Sequence, residues 1–303
     1  MATSVAKRHR RVVSIAAMAR RRGWRSSKPI TQKSWAVLKE NPYLFAFPIV
    51  GVVLAAIPLA VLGVPALYFL DTDSNWIALV FGIALVFGVQ AVITFPAAGL
   101  VAAVDEELHG RDASFGKGMS AAFGRFGPLV AWSAIQTVVS VLIGLVRGNG
   151  QGNVVGVLLR NVIAAAADVM WQLITFFVLP VMMIEKASPI QAIKTSSGLF
   201  TKQWGTQLAG GVRIGAMVAL VVILPGALIL GFGVALVLAD STAIAIAGIA
   251  TAVIGFLVVM LGALIINAMR GIYSVALYHY ATDGEALAGF TGEELQASVR
   301  LKD

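Results

Sequence analysis

Apolar residues in this chain collect into six long runs with almost no charge inside them: about Leu44–Leu70, Trp76–Val104, Pro128–Val146, Asn161–Ile184, Thr206–Ala239 and Thr242–Ile266. A hydrocarbon core of ~30 Å is crossed by ~20 helical residues, and each run reaches or approaches that length. The runs are continuous rather than alternating, and a continuous apolar run crosses a bilayer as a helix, not as a barrel strand. The pattern predicts an all-α integral membrane helix bundle of about six transmembrane helices.

Two polar islands between the runs carry a second, amphipathic pattern. In "EKASPIQAIKTSSGLFTKQWG" (185–205), Ser188 is placed to cap a helix, with Pro189 at its first position and Gln191 closing a capping box. Ile190, Ile193, Ser197, Phe200 and Trp204 then fall on one stripe, and Lys194 and Lys202 lie beside it with stems long enough to snorkel. The segment predicts an amphipathic helix lying at the membrane interface. Residues Phe115, Met119, Ala122 and Phe126 repeat the stripe in the first island, with Ser114 as the cap. A third such helix is expected in "TQKSWAVLKENP", with Trp35 and Leu38 turned inward and Pro42 at the turn. "ITFPAAGLVAAVDE" (93–106) and "ITFFVLPVMMIEKA" (174–187) both end a span with a proline and an acidic exit. Residues 76–146 and 161–239 therefore read as an internal duplication of span, interfacial helix and span.

Composition supports the reading: 58% of residues are hydrophobic, 13% are charged, and the mean hydropathy is +0.86. Charge then orients it. Residues 1–40 hold eleven of the 23 Lys and Arg, and the loops at alternate ends of the predicted spans hold 21 and 2. The positive-inside asymmetry places both termini in the cytoplasm of a bacterial or archaeal cell membrane. Residues 1–32 form a basic cytoplasmic arm, 33–280 a membrane domain of six spans and 281–303 a cytoplasmic tail. An arm joined to a span binds anionic headgroups of the bilayer, at about 1 kcal/mol per basic residue, more simply than nucleic acid, which is not an expected partner. The short apolar stretch Val12–Ala19, broken by Ser14, is a poor export signal. No protein partner is identifiable.

Three segments also carry a family likeness: "KSWAVLKENPYLFAFPIV" (33–50), "ITFFVLPVMMIEKASPIQAIKTSSGLFTKQWG" (174–205) and "ALYHYATDGEALAGFTGEEL" (276–295). They resemble the hallmark segments of a multi-pass membrane family of bacteria and archaea that bears a domain-of-unknown-function label. Matching positions include Ser34, Trp35, Leu38 and Pro48, then Pro180, Glu185, Ala192, Ser196, Trp204 and Gly205, and finally Tyr278, Tyr280 and Gly284. A more distant likeness is to the membrane domain attached to some glycerophosphodiester phosphodiesterases, which repeats a proline, an acidic exit and an A-x-x-x-S helix. The resemblance implies fold and location, and no reaction.

Candidate chemistry is sparse. Asp168 is the one acid within the apolar runs, and an intramembrane acid is costly enough to draw attention. Asn161, Asp168, Gln172 and Thr175 share a face of the fourth span, opposite Ser133, Gln136, Ser140 and Gly144 on the third. Two such faces line either a hydrated path or a seam of interhelical hydrogen bonds, and Asp168 also has Arg147 and Arg160 within reach as partners. The packing seam is the favoured alternative. Arg213, two turns into the fifth span, is expected to snorkel to the inner headgroups. Asn267, Gly271, Ser274 and Tyr278 share a face that continues past the membrane. Cysteine is absent, and His9, His109 and His279 stand apart without a metal-binding pattern, so no cofactor or metal is expected. "SSGL" (196–199) lacks the Gly-x-Ser-Gly order of an intramembrane serine protease, and "RGNGQGNVVG" (147–156) lacks the Lys-Ser/Thr of a phosphate loop. The expected function is non-enzymatic: a membrane scaffold, regulator or lipid-interacting protein. The alternative is a small transporter with Pro96, Pro180 and Pro225 as helix breaks and a polar path near Asp168.

Overall fold

The computed structural model describes residues 34–72, 75–148, 153–204, 222–238 and 241–284. The basic arm, Arg213, the first part of the fifth apolar run and the C-terminal tail beyond Gly284 lie outside the described residues. Within them the chain is helical and no strand occurs. A short helix α1 (residues 34–40) is followed by the long helices α2 (Pro42–Leu70) and α3 (Asn75–Leu108). Then come the short α4 (Phe115–Phe123), the long α5 (Phe126–Arg147) and α6 (Val154–Ile184), and α7 (Pro189–Trp204). Helix α8 (Leu224–Val237) and the 42-residue α9 (Thr242–Asp283) complete the order. Five of these, α2, α3, α5, α6 and α9, are long and apolar enough to cross a membrane, and α8 is a shorter apolar helix.

Both island helices form with their expected serine caps. The Lys117 N–H donates to Ser114 Oγ at 3.3 Å, and the Gln191 N–H donates to Ser188 Oγ at 3.4 Å. The buried faces are rotated from the apolar stripes, however. On α7 the buried residues are Pro189, Ala192 and Ser196, while Ile190 is 63% exposed. On α1 Ser34 and Leu38 are buried, and Trp35 turns outward against the edge of Phe45. At Ser34, Ala192 and Ser196 a small side chain wins the position because it allows closer approach than a branched or aromatic one. The same holds for α4. A Cβ on Gly118 would stand 2.5 Å from the Gly99 carbonyl oxygen, so α4 lies almost backbone to backbone on α3.

Prolines act differently from helix to helix. Helix α2 accommodates Pro58 through a π turn, Leu59–Gly63, whereas α3 runs unbroken through Pro96. Helix α6 breaks at residues 175–177. Pro180 has no N–H for the Phe176 carbonyl and its ring crowds that oxygen. The expected loop 147–160 is shorter than its charge pattern implies. Asn153 caps α6, accepting from the Gly156 N–H at 2.7 Å, and brings Arg160 into the helix.

One end of the bundle is a packed core: Leu38, Phe47, Val104, Trp132, Phe177, Met182 and Ile272 are all fully or almost fully buried there. At the other end apolar side chains such as Val61, Leu67, Leu79 and Val155 are exposed. Exposed apolar surface of this extent suits lipid rather than water. The packed end also carries the acidic exits of α3 and α6 and is termed the polar end below; the opposite end, with the α2–α3 and α8–α9 turns, is the hairpin end.

Candidate functional site

Between α2, α3, α5, α6 and α9 the packing leaves a cleft of about 330 Å³. Most of its wall is apolar, including Ile93, Leu100 and Leu179, and its polar groups are Gln136, Gln172, Thr175, Asn267, Arg270 and Ser274. Arg270 Nη2 donates to Gln172 Oε1 at 3.2 Å, and no carboxylate pairs with this guanidinium among the described residues. The Trp132 indole N–H, also in the lining, is buried and has no hydrogen-bond partner among the described residues. Gly51, in the wall, lies roughly 29 Å along α2 from Leu70, and Arg270 roughly 42 Å along α9 from Thr242, at 1.5 Å per residue. A hydrocarbon layer is ~30 Å thick and a whole bilayer ~40–45 Å. The cleft therefore sits where acyl chains give way to headgroups.

The polar residues singled out from the sequence divide into two groups. Gln136, Gln172 and Thr175 meet in the cleft. Asp168 and Asn161 do not line it: Asp168 pairs with Arg147 at 3.7 Å, both half-exposed, and Asn161 is exposed on α6. Ser133 and Thr137 on α5 spend their hydroxyls on their own helix, donating to the Leu129 and Ser133 carbonyls at 2.9 and 2.8 Å. The residue that sequence reasoning passed over is Arg270, which lies just past the end of the sixth apolar run. Its signal was its register: Asn267, Arg270 and Ser274 recur at helical spacing on α9.

At the polar end each acidic exit has a partner on another helix. Glu107 accepts from the Tyr43 hydroxyl at 3.0 Å, and Glu185 accepts from the Tyr278 hydroxyl. His279 Nε2 lies 2.7 Å from Asp105 Oδ1, and Arg111 donates to Glu106 Oε2 at 2.5 Å. Arg111 is held protonated the more firmly by this bond, and Lys117 lowers the Asp112 carboxyl by donating to it. The expectation that the histidines stand apart is corrected for two of them. His109 and His279 meet edge to face with ring centres 4.8 Å apart, beside Asp105. His9 lies outside the described residues. Asp105 and His109, one helical turn apart, were the legible half of this cluster.

Fold and cleft together define a polytopic α-helical membrane protein with a charged recess at one membrane boundary. The model of a family of unknown function, DUF6159, matches residues 76–290, and the chain belongs to that family. The match begins at the start of α3, so α1 and α2 precede it. No curated protein and no solved structure matches the chain.

Proposed function

We propose that this is a non-enzymatic, lipid-interacting membrane protein whose cleft receives the anionic phosphodiester of a phospholipid. The observation that carries the proposal is Arg270, a guanidinium in a mostly apolar recess with an amide, not a carboxylate, as its neighbour. At the boundary of the hydrocarbon a guanidinium set among apolar walls is best met by an anion or by water. Its planar donor fork matches phosphate, and basic pockets between spans are a recurrent seat for anionic headgroups. Gln136 and Asn267 offer further hydrogen bonds, and the wall from Ile93 to Leu179 suits the first carbons of an acyl chain. The 21-to-2 division of basic residues supports a cytoplasmic polar end, and on that reading the lipid comes from the inner leaflet.

The test is lipid retention. Protein reconstituted in mixed phosphatidylglycerol and phosphatidylcholine nanodiscs, released and analysed by native mass spectrometry, should keep the anionic lipid preferentially. Arg270→Gln should lose that preference while still binding neutral lipid. An unchanged lipid complement in the variant would refute the assignment. Solute flux in liposomes that is abolished by Asp168→Asn would favour a permease instead.

A further inference from the structure

Asp105, His109 and His279 form a second site, separate from the cleft, since none of the three lines it. His109 follows the last residue of α3, and its N–H still donates to the Asp105 carbonyl at 3.3 Å, so the two residues stand one turn apart. His279 arrives from α9, 174 residues from Asp105 in sequence. One ligand atom from each residue lies within 4.8 Å of the others. His279 Nε2 is 2.7 Å and His109 Nδ1 3.5 Å from the same oxygen, Asp105 Oδ1. In a tetrahedral site with ~2.0–2.1 Å bonds, ligand atoms are separated by about 3.4 Å. Binding an ion would therefore draw the ligand atoms together by side-chain rotation. His109 Nδ1 also lies 2.7 Å from the Asp105 backbone oxygen, a contact that metal binding would exchange.

The groups behind these three residues are arranged as supports. His279 Nδ1 faces Asp283 Oδ2 at 3.5 Å, the carboxylate–imidazole relation that orients metal-binding histidines. Arg111 Nη2 donates to Asp105 Oδ2 at 3.3 Å, which leaves Oδ1 for the shared point. The side chains of His279 and Asp105 are 9% and 15% exposed and that of His109 26%, so solvent reaches the cluster mainly on one side. A simple helix-to-helix ion pair would need only Asp105 and His279. It would not call for a second imidazole 3.5 Å from the same oxygen, or for Asp283 behind the first.

We infer that Asp105, His109 and His279 form a binding site for a divalent transition-metal ion, with three protein ligands and a fourth position open to water. Two imidazoles and one carboxylate are a zinc donor set, and hard ions such as Mg²⁺ prefer all-oxygen ligands. The bound ion would tie the polar end of α3 to that of α9.

Full-length protein without a polyhistidine tag, stripped with chelator and held in detergent, should take up one equivalent of Zn²⁺ by calorimetry and none of Mg²⁺. Co²⁺ should give the visible absorption of a tetrahedral centre. Asp105→Asn and His279→Gln should abolish uptake. Asp283→Asn, on an exposed side chain, should weaken it ~10–100-fold, as loss of a supporting carboxylate does. If His279→Gln fails to fold, His109→Gln and Asp283→Asn carry the test. Absence of saturable binding, or binding unchanged in both of those variants, would overturn the site.

Discussion

Ser196 is fully buried on α7, and it bonds to the broken backbone of α6 rather than to its own helix. Its Oγ accepts from the Phe177 N–H at 3.1 Å and donates to the Ile174 carbonyl at 2.5 Å. Both backbone groups lost their helical partners at the break, and a hydroxyl, which can donate and accept at once, replaces them. Ser196→Ala should therefore destabilise the protein by about 1–3 kcal/mol, the cost of leaving buried polar groups unpaired. Ser197→Ala, one residue along, removes only an exposed bond to the Lys194 carbonyl and should change little. Thermal unfolding in detergent compares the two, and equal midpoints would refute the role. Ser196 was legible as a position shared with the family but not as a buried one. Hydropathy ranks Ile190 above serine, and only the break in α6 explains why serine faces inward.

At the scale of elements, α8 and α9 form the closest pairing in the structure. Gly226 and Gly233 on one helix meet Gly248 and Gly255 on the other, all seven residues apart. A Cβ on Gly255 would stand 2.3 Å from the Leu230 nitrogen, and one on Gly233 2.3 Å from the Ala252 nitrogen. In lipid, where apolar burial gives helices no reason to associate, such close approach is the main attraction. Gly255→Ala should force the pair apart and lower the thermal midpoint. Gly231→Ala, with nothing within 4 Å of its new methyl, should leave the pairing intact and raise local helix stability by up to ~1 kcal/mol. A destabilised Gly231→Ala with a silent Gly255→Ala would contradict the pairing. The spans themselves were legible because a bilayer imposes length and hydropathy on each run independently. The glycine register was hidden among 31 glycines, whereas the extension of α9 past the apolar run was legible in the face shared by Asn267, Gly271, Ser274 and Tyr278, and only its end at Asp283 was not. The cleft was half legible. Gln136, Gln172 and Thr175 lie on polar faces visible within single helices, as does Arg270 through its register with Asn267 and Ser274, whereas the His109–His279 pair depends on a contact between distant segments.

For the whole molecule, α9 joins everything at the polar end: Tyr278 takes the acidic exit of α6, and His279 takes that of α3. The two island helices sit at the same end, and Arg125 at the end of α4 donates to the Lys186 and Ala187 carbonyls at 2.6 Å, joining them. The structure thus has one end built from side-chain contacts and another that presents apolar helices to lipid. Because the chain has no cysteine, each introduced thiol reports on one position alone. Thr72→Cys and Ser241→Cys, exposed at the hairpin end, should react with a membrane-impermeant maleimide in cells whose outer face is accessible. Ser120→Cys and Gln191→Cys, exposed on α4 and α7, should react only after the membrane is opened. The four sites test one quantity from both sides. Labelling of Ser120→Cys in sealed cells would invert the molecule and place the Arg270 cleft in the outer leaflet, while a split within either pair would contradict the grouping of these elements at one end.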